Sequence, residues 1–134
     1  MLRLEVVALY AAVNILILLV LAVLVMLGRR KHKIVLGDGS NEDFTRAVRA
    51  HANAAEYIPV GLIGLLLIAL LDPAAPLWTL HAAGISLTAG RILHSFGLHA
   101  GKLNAGRMLG MVLTWLSLVI IIIGLLYAGL SQQL

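Results

Sequence analysis

Residues 49–59 read RAHANAAEYIP and lead straight into the apolar run VGLIGLLLIALL. On a helix turning by about 100° per residue, Arg46, Arg49, Asn53 and Glu56 share one face, with Tyr57 at its margin and His51 pointing away. Ionisable groups at the mouth of such a run are costly in lipid and mark sites that hold something. Arg91 and His94 form a second, shorter polar stripe, and Arg107 opens another apolar run. Within this set Arg46, Arg49, Arg91 and Arg107 meet a single carboxylate expected to be buried, Glu56. Guanidinium forks grip carboxylates bidentately, while Glu56 can hold an ammonium. The balance suits a small ligand that is zwitterionic but net anionic. The alternative is internal glue, with Glu56 paired to Arg49 or Arg91 and Asn53 bonding across helices.

The elements that must position these residues are membrane helices. The chain has 134 residues, 61% of them hydrophobic and only 12% charged. Globular domains use roughly 45–50% apolar and about 25% charged residues, so lipid is the solvent here. The length suits a single domain over 1–134. An apolar stretch from Val6 to Gly28 exceeds the roughly 20 residues needed to cross a bilayer and is too long for a signal-peptide core. Gly37 to Ser40 is turn chemistry, after which Ser40 or Asn41 can cap a helix whose first turn carries Glu42 and Asp43. Pro59 should kink that helix, and Asp72 to Pro76 forms a short turn. The pattern predicts an all-α, four-helix, up-down integral membrane bundle with helices over about 5–28, 41–71, 77–98 and 107–130.

Arg29, Arg30, Lys31, Lys33 and Lys102 lie in the first and third loops, whereas only Arg3 lies at the other end. The positive-inside rule then places loops one and three in the cytoplasm and both termini opposite. The formal charge of +4 reflects this distribution; no aromatic residues interleave with the basic ones, so no nucleic-acid partner is expected. Ala82, Ser86 and Gly90 make a small-residue stripe for helix packing. Trp78, Tyr10 and Tyr127 are expected in interfacial belts, and Trp115 in packing. His32, His81 and His99 read as loop or interface residues without metal-ligand context, so no metal is expected. Cysteine is absent, which excludes a protein thiol nucleophile.

The motif R-A-x-x-N-x-x-E-Y-x-P, carried by Arg49, Ala50, Asn53, Glu56, Tyr57 and Pro59, resembles the helix-two signature of the MAPEG family, the membrane-associated proteins in eicosanoid and glutathione metabolism. GRILHSFGLHAGKL at 90–103 is similar to the end of helix three in its prostaglandin E synthase branch. The resemblance covers essentially the whole chain. It implies a homotrimer binding glutathione between subunits near the cytoplasmic side. It also implies glutathione contacts from Arg49, Asn53, Glu56 and Tyr57, further contacts from Arg29 or Arg30 and from Arg91, and a thiolate-stabilising role for Arg107. The stripe adds Arg46 to the candidates, and His94 is either a hydrogen-bond donor to the ligand or an interfacial histidine at a helix end.

Glutathione has two carboxylates, one ammonium and a thiol, which matches the charge balance above and supplies the sulfur this chain lacks. The expected activity is a glutathione transferase or peroxidase of the detoxification type, acting on a hydrophobic electrophile delivered through membrane lipid. The alternative of the same fold is a non-catalytic lipid-binding or scaffold protein. A transporter built on Glu56 is disfavoured, because the half of the bundle away from the basic loops holds almost no ionisable residue besides His81.

Overall fold

The computed structural model describes residues 2–72 and 74–131; Pro73, within the expected turn at 72–76, lies outside them. Four helices run in order: α1 (Leu2–His32), α2 (Glu42–Leu71), α3 (Leu77–His99) and α4 (Ala105–Ser131). The fold is the all-α membrane bundle expected from the apolar runs. α1, α2 and α4 are each long and apolar enough to cross a bilayer on composition alone. α3 is less apolar because Arg91, His94 and Ser95 lie inside it, and the bundle shelters all three.

The helix ends follow local chemistry. Asn41 is the cap of α2: its Oδ1 accepts the Phe44 N–H at 2.9 Å, while Glu42 and Asp43 meet the positive end of the helix dipole. α1 continues past the expected end at 28 through Arg29, Arg30, Lys31 and His32, because cations favour a helix C-terminus. Arg29 folds back over loop one, donating to the Gly37 carbonyl at 3.1 Å and lying 5.4 Å from the Phe44 ring centre. In the same loop the Ser40 N–H and the Thr45 hydroxyl hold the Asp38 carboxyl below the usual range. Pro59 stays within a continuous α2 with its ring exposed.

α2 and α3 form the centre of the bundle; α1 packs on both, α4 packs on both, and α1 and α4 do not touch among the described residues. The molecule is therefore an open slab. The contact between α3 and α4 is the most extensive, and at the basic end it is backbone on backbone. A Cβ at Gly90 would lie 2.6 Å from the Thr114 hydroxyl and 2.9 Å from the Gly110 carbonyl. One at Gly110 would strike the His94 backbone, and one at Gly97 the Arg107 backbone. The tight stripe is thus Gly90 and His94 facing Gly110, with Gly97 facing Arg107. Ala82 and Ser86, expected to share it with Gly90, are only half-buried. Small residues drive such contacts because lipid offers no hydrophobic force between helices.

At the opposite end Val6, Val7, Leu65, Ile68, Leu80 and Ile121 form an apolar core. Tyr10, expected at an interface, is buried there instead, because Gly84 leaves room for its ring and its hydroxyl reaches His81 Nδ1 at 2.9 Å. Asn14 is fully buried midway along α1 and donates to the Tyr10 carbonyl at 2.9 Å and to Thr88 at 2.8 Å. Ser117 closes a further bond to the Ala83 carbonyl at 2.8 Å. Trp115, expected to pack inside, is exposed on α4.

Gly110→Val should lower the thermal midpoint in detergent, since overpacking a close contact costs about 1–3 kcal/mol. Gly129→Ala, at a helical position with nothing within 4 Å, should leave it unchanged or raise it. Equal effects of the two substitutions would refute the backbone contact.

Candidate functional site

Arg91 anchors the region. It lies 1% exposed in α3, with roughly 21 Å of helix between it and Leu77. Among the described residues no carboxylate pairs with it. Instead Nε and one terminal nitrogen donate to Thr114 Oγ1 at 3.0 and 2.6 Å, and the other terminal nitrogen reaches the Asn53 carbonyl at 3.4 Å. The Thr114 hydroxyl uses its own proton on the Gly110 carbonyl at 2.8 Å, so its lone pairs are free to accept from arginine. The guanidinium lies 5.0 Å from the Tyr57 ring centre, a cation–π contact. α2, α3 and α4 are thereby joined at one level by one cation and neutral acceptors.

Asn53 and Tyr57 form the layer in front of Arg91. Both are half-buried, and the Asn53 amide donates to the Arg49 carbonyl one turn earlier at 3.0 Å. Beyond them Arg49 and Glu56 are exposed, and neither side chain has an ion-pair or hydrogen-bond partner among the described residues. The glue reading of this stripe is therefore not what the chain adopts: Glu56 pairs with neither Arg49 nor Arg91, and Asn53 turns back along its own helix. His94, 3% exposed, packs its backbone on Gly110 and lies within electrostatic reach of Arg91 and Arg107. Its Nδ1 is buried without a hydrogen-bond partner.

Arg107 is exposed near the start of α4, where Asn104 accepts its backbone N–H at 3.0 Å and donates to the Gly97 carbonyl at 2.8 Å. Asn104 and Thr114 are the two contributors that the sequence reading missed. Thr114 was visible in principle: Gly110, Thr114 and Ser117 recur at helical spacing on the one face of α4 that carries small and polar residues.

Not every expected residue converges. Arg46 is neutralised within its own turn by Asp43 at 2.8 Å and Glu42 at 3.2 Å, and its guanidinium rests against Gly101 of loop three. This removes Arg46 from the cationic surplus and gives it a structural role. Arg29 serves loop one, and Arg30 is exposed on the basic end of α1. Glu56 is not the buried carboxylate the sequence suggested; it faces outward. Arg49, Glu56, Arg91 and Arg107 line none of three cavities that open on the bundle. An almost wholly apolar groove of about 450 Å³ does open at the same end, between Ile17 and Leu21 of α1 and Ile92 and Phe96 of α3.

Lysine cannot reproduce the fork that reaches Thr114 and Asn53 together. A double-mutant cycle of Arg91→Lys with Thr114→Val, read by unfolding in detergent, should give a coupling of about 1–2 kcal/mol. Simple additivity would mean that Thr114 does not hold the guanidinium.

Known proteins resemble this chain along most of its length. The chain is 34% identical over 120 residues to "Inner membrane protein YecN" of Escherichia coli strain K12, an alignment covering 90% of this chain and 89% of that relative. The protein of the same name from Escherichia coli O6:H1 strain CFT073 matches to the same extent. The family signature of MAPEG fits residues 7–127, a stretch that contains the Arg49-to-Pro59 motif, Arg91, His94 and Arg107. This membrane protein belongs to the MAPEG family.

Proposed function

We propose that the chain is a glutathione-dependent membrane enzyme that activates the glutathione thiol for attack on a hydrophobic electrophile, working as a homotrimer with the tripeptide between neighbouring copies. The observation that carries this reading is the outward pair Arg49 and Glu56, exposed on a membrane helix without a partner and backed by Asn53, Tyr57 and the buried Arg91 cation. Left facing lipid, such a pair is costly. A neighbouring copy and a polar ligand together remove that cost, and a tripeptide with two carboxylates and an ammonium complements Arg49 and Glu56. Family membership and the full Arg49-to-Pro59 motif support the choice of glutathione.

In this reading Arg49 holds a carboxylate, Glu56 the ammonium, and Asn53 and Tyr57 fix the peptide by hydrogen bonds, with His94 and either Arg29 or Arg30 as further contacts. Arg91 acts from behind by holding Asn53 and Tyr57 in place. Arg107 stabilises the thiolate: a free thiol has a pKa of about 8.5, and a nearby guanidinium lowers it. The sulfur then bonds to the electrophilic atom of the cosubstrate as its leaving group departs, the thiol proton having passed to solvent. The groove between α1 and α3 offers an apolar molecule a lodging at the same end of the bundle. The basic loops lie in the cytoplasm, and the inner-membrane name of the relative agrees with a bacterial-type member.

Glutathione added to the detergent-purified protein should raise its thermal midpoint and produce the ultraviolet absorbance of a thiolate. Arg49→Ala should weaken binding by about 10–100-fold, the loss of one charge-assisted hydrogen-bond pair. Arg107→Ala should keep binding while abolishing the thiolate absorbance. Stabilisation without thiolate in the parent protein would make it a glutathione-binding scaffold, and no response at all would refute the proposal.

A further inference from the structure

A cavity of about 560 Å³ opens at the end of the bundle away from the basic loops, between the α2–α3 connection and the last turns of α4. Its floor is apolar, formed by Ile68, Ile123 and Gly124, and its rim carries Asp72, Trp78 and Tyr127. Asp72 is only 8% exposed. One carboxylate oxygen, Oδ1, accepts the N–H groups of Ala74 and Ala75 at 3.1 and 3.0 Å. The other, Oδ2, takes no hydrogen bond among the described residues. No described lysine, arginine or histidine lines the cavity. Arg3 donates to the carbonyl of Ala75, which ties α1 to the same connection.

Trp78 and Tyr127 are largely exposed, and neither the indole N–H nor the phenol takes part in a hydrogen bond among the described residues. Two electron-rich rings beside a half-committed carboxylate attract a cation, and no described cationic side chain lines the cavity to favour an anion instead. The level is also right, because α2 ends and α3 begins here, where a bilayer changes from hydrocarbon to headgroups. The apolar floor continues into the lipid-facing surface of α4, where Ile122, Ile123 and Leu126 are exposed.

The geometry points to a lipid-binding site at this cavity that takes the ammonium headgroup of a phosphoethanolamine-type phospholipid, with Asp72 as the charge partner, Trp78 and Tyr127 as the aromatic walls, and the acyl chain along Ile123. It lies at the end of the molecule remote from Arg49 and Arg107 and is independent of the glutathione reading. A loop-capping role for Asp72 needs only the acceptor Oδ1. The lipid site needs the negative charge as well, and this separates the two roles.

The test uses the full chain in detergent with Trp115→Phe, leaving Trp78 as the single tryptophan. Short-chain phosphoethanolamine lipid and its phosphoglycerol counterpart are titrated separately while Trp78 fluorescence is followed. A saturable change with the phosphoethanolamine lipid, at least tenfold weaker with the phosphoglycerol lipid, supports the site. Asp72→Asn, which retains the Oδ1 acceptor, should weaken the phosphoethanolamine response at least tenfold while leaving the thermal midpoint unchanged. A parallel loss of midpoint would make Asp72 a structural cap and overturn the proposal. Equal responses to both lipids would reduce the cavity to an apolar surface, and a preference for phosphoglycerol would reverse the sign of the site. Trp78 shielded from an aqueous quencher in the lipid-free protein would mean that a second copy covers this face. Each of these three results overturns the proposal.

Discussion

A guanidinium without a carboxylate, held inside a membrane protein, is the constraint around which this molecule is arranged. Arg91 is satisfied by a threonine hydroxyl, a helix carbonyl and an aromatic face, each drawn from a different neighbour. A buried carboxylate would have neutralised it and left nothing to recruit an anion. Neutral partners stabilise the cation yet leave its field in place, and that field is felt where Asn53 and Tyr57 reach the surface. The close approach of α3 and α4 at Gly90 and Gly110 serves the same end, because a longer separation would carry Thr114 out of reach.

The polar stripe of α2 is split by this arrangement into layers. Arg46 belongs to the helix start, where Glu42 and Asp43 absorb its charge. Asn53 and Tyr57 belong to the support, and Arg49 and Glu56 form the outward layer. A single chain thus presents two opposite charges, Arg49 and Glu56, on its outer surface. The apolar groove between α1 and α3 is a separate feature of the same end, lined almost wholly by hydrocarbon.

Much of this was legible in the sequence. The four helices follow from long apolar runs separated by turn-rich connections, and the α2 cap follows from Asn41 preceding two acids. The helix-two motif carried the family. What sequence periodicity could not supply is which of two neighbours a side chain meets. Arg46 shares the angular position of Arg49, but its pairing is settled by acids three and four residues earlier, a local rule that the stripe argument overlooked. Tyr10 sits at a depth typical of an aromatic belt, and its burial depends on a glycine seventy-four residues away in the chain, Gly84. Glu56 was read as buried because the membrane surrounds it, whereas burial depends on neighbouring helices, and none of the described ones covers it.

The open slab has a mechanical consequence. α3 and α4 meet through glycines at the basic end, so the two can move only as one plate. α1 leans on α2 and α3 and has no hold on α4 among the described residues. A small swing of α1 would widen or narrow the space beside Ile92 and Phe96 without disturbing any bond to the Arg91 guanidinium. The width of the apolar groove and the rigidity of the polar cluster thus rest on different helix contacts, and substitutions can retune the first while the second stays fixed.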